Sequence, residues 1–100
     1  MIFVRKMVYR MNIVIISGKM VSNVDFKFIY IKDKKERYTS IAMCKLKLDN
    51  GSIVDIYGYD DVADYLYRNN LEYVFIEGRV DNKMKIEVRF VKNIKYYKEK

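Results

Sequence analysis

Along most of this chain apolar and polar residues alternate with a period of two, the spacing of a strand with one buried face. β-Branched and aromatic runs cover Asn12–Val21 and Phe26–Ile31. Thr39–Leu48 and Ser52–Tyr59 flank the turn sequence Asp49-Asn50-Gly51, and Tyr73–Val80 and Met84–Val91 flank Asp81-Asn82-Lys83. The stretch DDVADYLYRNN breaks the alternation. There Asp60 or Asp61 can cap a helix, acids occupy its first turn, Val62, Tyr65 and Leu66 form an apolar stripe, and Arg68 falls near its end. Four such runs precede this stretch and two follow it; counted as five strands, the predicted order is three strands, a helix and two strands.

Turn chemistry assigns the faces. With Asp49-Asn50-Gly51 as a three-residue loop and Gly51 left-handed, Leu48 opposes Ser52. Leu46 then faces Val54 and Cys44 faces Ile56, which makes this the core side. The outer side pairs Lys47 with Ile53, Lys45 with Asp55, Met43 with Tyr57 and Ile41 with Tyr59. A two-residue Asn50-Gly51 turn sets Leu46 against Asp55 and scrambles both faces. The same three-residue logic in the last hairpin opposes Val80 to Met84, Gly78 to Ile86, Ile76 to Val88 and Val74 to Phe90. Glu77 and Arg79 then point outward, and Gly78 lies on the core side, where a missing side chain lets the sheet bend. An all-β chain of five strands with such bends, and one short helix between strands 3 and 4, has the order of the oligonucleotide/oligosaccharide-binding (OB) barrel.

One hundred residues make one domain with one core. We divide the chain into an N-terminal extension or arm (1–10), the barrel (11–94) and a basic tail (95–100). The N-terminus is cut by Arg5, Lys6 and Arg10, so it forms no signal-peptide core, and no apolar run is long enough to span a membrane. The lone Cys44 gives no intrachain disulfide; a cytoplasmic location is expected. With no histidine, no cysteine cluster and no Gly-rich phosphate loop, the usual signatures of catalysis are missing. We therefore expect no enzyme activity and no cofactor. Asp60, Asp61 and Asp64 offer Mg²⁺ ligands, but helix capping explains them more simply.

Formal charge is +7 and unevenly placed. Lys19 to Lys47 holds eight basic residues against Asp25, Asp33 and Glu36, whereas Asp49 to Asp81 holds eight acids against Arg68 and Arg79. A basic half in a Tyr-rich chain favours a polyanion partner.

Three motifs resemble those of bacterial single-stranded DNA-binding proteins. MNIVIISGKMV is similar to that family's opening strand, VDIYGYDDVADYL to its strand end and short helix, and YVFIEGRV to its Glu-Gly-Arg strand. The resemblance runs from residue 11 to about 91 and is weakest between Ser22 and Ser40. It implies single-stranded DNA as partner, with RNA as an alternative, bases stacked on aromatics and phosphates tracked by lysine and arginine. It also implies a homodimer or homotetramer, for which Asn12–Val21 and outward residues such as Phe75 are candidate contacts.

Tyr57 matches a family aromatic that stacks on a base, and the turn argument independently places it outward beside Met43 and Lys45. Tyr59 and Lys47 share that face. Phe26, Phe28 and Tyr30 alternate on one side of their strand, as core or as stacking residues. Lys32, Lys34, Lys35 and Arg37 form a loop suited to phosphates or simply to solvent. The chain departs from the family in three ways: it has no tryptophan, the Asp49-Asn50-Gly51 loop is short, and it ends in KYYKEK rather than an acidic tail. Recruitment through such a tail is therefore not carried over. Small tail-less primosomal replication proteins share the domain and the size, and an OB-fold interaction subunit with weak or no nucleic-acid binding is the alternative.

Overall fold

The computed structural model describes residues 12–32 and 37–94. Six ladder segments and one helix follow in the order β1 (Val14–Met20), β2 (Asp25–Ile31), β3 (Arg37–Lys47), β4 (Ile53–Tyr59), α1 (Asp61–Arg68), β5 (Tyr73–Val80) and β6 (Ile86–Asn93). β1 and β2 behave as one interrupted strand. Both run antiparallel to β3, with Met20 opposite Leu46 and, after a break at residues 21–24, Asp25 opposite Met43. Counted this way the sheet has five strands with the helix between the third and the fourth. The sheet order β1-β5-β6-β4-β3-β2, with the additional β1–β3 pairing, closes it into an OB barrel. Among the described residues only β4 and β6 pair in parallel.

Alternation does the sorting. Ala42, Cys44 and Leu46 of β3 point inward and are buried with Ile56, Val74, Ile76, Ile86 and Val88. Helix α1 covers one end of the barrel, where Ala63 and Leu66 pack on Ala42. The helix is acidic at its start and basic at its end, a favourable match to its dipole. Asp60 is the N-cap residue but makes no side-chain cap bond. Its carboxylate instead accepts a hydrogen bond from the buried Thr39 hydroxyl, and its amide donates to Ser40 O at 3.0 Å, which ties the helix to β3.

The β3–β4 hairpin has the predicted register throughout, from Ile41↔Tyr59 to Lys47↔Ile53. Gly51 adopts φ +91°, and Leu48 N donates to Ser52 O at 2.8 Å.

The β5–β6 hairpin differs from expectation. Val80 pairs with Ile86, Gly78 with Val88 and Glu77 with Phe90. Its turn is longer than three residues because Asp81 organises it: Oδ1 accepts from Lys83 N at 2.8 Å and from Lys85 N at 2.9 Å, and Asp81 N donates to Lys85 O at 2.8 Å. Met84, expected to begin the strand, instead lies in the turn at φ 66°. A register shift between Glu77 and Gly78 then opposes Arg89 to no residue of β5. Beyond this bulge the faces exchange, so Phe90, expected inside against Val74, lies outside and meets Phe75 edge-on at 6.4 Å.

Gly78 does mark the bend. It is buried, and a Cβ there would come within 2.2 Å of Glu87 O, so only glycine allows the two backbones to approach this closely.

Candidate nucleic-acid interface

The outer surface of β3 and β4 carries the first group of candidates. Met43 lies opposite Tyr57 and Ile41 opposite Tyr59, so the two tyrosines are successive outward residues of β4. Their rings meet edge-to-face at 5.8 Å. Tyr59 is exposed; Tyr57 is half-buried, and its hydroxyl donates to Asp81 Oδ2 at 2.8 Å. Burial of the phenol, reinforced by the Asp81 carboxylate, pushes the Tyr57 pKa well above the usual tyrosine range. Asp81 is held below the usual carboxylate range by the Lys85 backbone N–H, the Tyr57 hydroxyl and the Lys83 N–H. Tyr57 is thus a neutral, half-buried ring anchored at its hydroxyl, beside the exposed ring of Tyr59.

Lys45 and Lys47 extend this face, opposite Asp55 and Ile53. Lys45 Nζ pairs with Asp55 Oδ1 at 2.7 Å, with both side chains about half exposed. Asp55 is held below the ordinary carboxylate range chiefly by that bond. An exposed pair of this kind holds its geometry weakly, so the lysine can turn toward a phosphate. Beside Tyr57 a groove of about 360 Å³ is lined by Ser22, Asn23, Asp25, Met43, Cys44, Lys45, Asp55, Ile56 and Lys85. The break at residues 21–24 forms one wall, where Ser22 Oγ accepts from Lys45 N at 2.8 Å.

The second group lies elsewhere. Phe28 and Tyr30 project from the other side of the β2–β3 pair, on the continuation of the core face. Of the three alternating aromatics on β2, Phe26 packs into the helix cluster, whereas Phe28 and Tyr30 are 70% and 50% exposed. Lys32 and Arg37 are exposed at the distal end of this pair. Lys34 and Lys35 lie outside the described residues. The candidates therefore divide between two faces rather than forming one patch.

Sequence reasoning missed Tyr38, which crosses to Tyr30 with ring centroids 5.1 Å apart, and Tyr67 of α1, stacked on Phe26 at 4.5 Å. Tyr67 had a signal, as an aromatic on the polar side of the helix stripe. Tyr38 had one too, since it lies in step with Ala42, Cys44 and Leu46 along β3, but the expected strand began at Thr39 and stopped one residue short of it. No cluster of three or more metal-ligating side chains occurs among the described residues. Asp64 is engaged with Arg68, and Asp60 with Thr39.

No protein-family model matches the sequence. No curated protein does either. Among solved structures, the chain is similar to the SSB domain of a Synechococcus sp. protein, with a TM-score of 0.62 and 24% identity over 81% of this chain and 93% of that one. That likeness shows the fold: an OB barrel resembling an SSB domain.

Proposed function

We propose that the protein binds single-stranded DNA across the outer face of β3 and β4, with bases on Tyr57 and Tyr59 and phosphates on Lys45 and Lys47. The observation that carries this reading is the Tyr57–Tyr59 pair, two adjacent aromatic platforms on a barrel strand with lysines along the neighbouring strand. The likeness to an SSB domain supports it. Stacking requires unpaired bases, so single strands bind in preference to duplex.

The test is a fluorescence titration with labelled oligo-dT and the matching duplex at several salt concentrations. With three to five phosphates neutralised, log K falls against log salt with a slope of about −2 to −3.5. A flat salt response, or tighter duplex binding, sinks the reading.

We further propose self-association through the outer side of β1, where Ile13 and Ile15 are exposed. A monomeric solution mass across the micromolar range would count against it. If oligo-dT binding were absent while the mass showed an oligomer, the interaction-subunit reading would take precedence.

A further inference from the structure

Beyond α1 nothing among the described residues covers the inner face of the β2–β3 pair. Phe28, Tyr30 and Tyr38 stand there with 70%, 50% and 71% of their surfaces exposed. Tyr67 joins them through its stack on Phe26, and Phe26 meets Phe28 edge-on at 5.4 Å. The row is aromatic apart from Ser40, which lies opposite Phe28. Every nucleobase has a π-face that such rings accept.

The flanking charge matches a polyanion. Lys32 and Arg37 stand at the distal end, and Lys27 projects to the opposite side of β2, in line with Ile41 and Tyr59. β2 is an edge strand, so a chain leaving Tyr59 reaches Lys27 and can pass round the edge.

We propose that the Phe28–Tyr30–Tyr38 row is a second platform for single-stranded nucleic acid, reached from the Tyr57–Tyr59 face past Lys27. This inference rests on the nucleic-acid reading and extends it to a longer path. A short oligonucleotide fills the outer face alone; a longer one also occupies the row. OB folds engage about 4–16 nucleotides, which leaves room for both cases.

The experiment compares oligo-dT of about 6 and about 16 nucleotides on wild type, Tyr38→Ala, Phe28→Ala and Tyr57→Ala, spanning the range of OB site sizes. Thermal midpoints confirm that each variant folds. The expected result is that Tyr38→Ala and Phe28→Ala weaken the long oligonucleotide at least about fivefold and leave the short one unchanged, while Tyr57→Ala weakens both.

Equal affinities for wild type and the row variants at both lengths would overturn the second platform and leave the first standing. A wild type that binds neither length ends both readings. Row variants that lower the solution mass without changing affinity would assign the row to a second copy of the chain. Photocrosslinking with bromodeoxyuridine in the long oligonucleotide gives an independent readout. Adducts on Tyr30 or Tyr38 support the platform, and adducts confined to Tyr57 and Tyr59 overturn it.

Discussion

The two ends of β3 are built from the same alternating pattern yet live in different surroundings. At Leu46 the inner face is sealed by the barrel and the outer face carries the tyrosines of β4. At Tyr38 the strand runs on beside β2, and among the described residues nothing covers its inner face. What differs is the second layer. Along β3 the covered inward residues are Ala42, Cys44 and Leu46, whereas among the described residues nothing covers Tyr38, nor Phe28 and Tyr30 beside it on β2. A side chain with an apolar body and, in tyrosine, a polar tip tolerates water there while still offering a surface to a partner.

The sharpest way to break this comparison is at the two ends themselves. Leu46→Ala leaves a cavity in the sealed part and should destabilise the fold by about 2–5 kcal/mol. Tyr38→Ala removes no core packing and should stay within about 0.5 kcal/mol, measured in the same denaturant titration. Similar losses at both positions would show that the open end is packed in solution.

Next in size is the bend. Gly78→Ala places a Cβ against Glu87 O, and the strands must part, at a cost of about 1–3 kcal/mol. An unchanged thermal midpoint would mean that the bulge relaxes freely.

Tyr57→Phe keeps the ring and removes the hydroxyl that binds Asp81. Stability should fall by about 0.5–1.5 kcal/mol with oligo-dT affinity unchanged, which separates the anchoring bond from the stacking face. A parallel loss of affinity would place the hydroxyl itself in the interface.

The smallest effect is with pH. Asp81 has a folded pKa below its ordinary value of 3.8, so its contribution is present above 3.8 and is lost as pH falls through the lower folded value. The acid limb of the thermal midpoint should be less steep in Asp81→Asn than in wild type. Identical limbs would show that the turn does not depend on the charged form.

The same local features decide what the sequence discloses. The β3–β4 register is legible because Gly51 is the residue that tolerates a left-handed turn and because one register alone segregates the faces. The β5–β6 register is not, since both the three-residue turn and the longer one put Ile86 and Val88 inside; they differ by two residues, and alternation is blind to two. The choice was made by Asp81 carboxylate bonds to backbone amides, and the bulge at Gly78 then moved Phe90 outward. Of the candidate site, Tyr57 and Tyr59 were legible because they sit on the regular hairpin. The face of Tyr38 follows from alternation along β3, but its exposure was not legible, because that depends on how far α1 reaches over the sheet. Alternation also could not tell core from exposed aromatics on β2, since the end of α1 sets that boundary in space.

The parallel contact of β4 with β6 has a consequence for how the barrel comes together. It comprises Ile56↔Ile86 and Tyr57↔Glu87 alone, whereas the β3–β4 and β2–β3 ladders each run the length of a strand. Those two ladders link neighbours in the chain and carry little loop-closure entropy. The seam joins segments some thirty residues apart, so it closes late, after the hairpins on either side exist. Tyr57 bridges it through Asp81. A strand of DNA laid over Tyr57 would therefore act as a clasp on this two-pair joint, and amide exchange at Ile86 and Glu87 would slow on binding more than in the β2–β3 ladder.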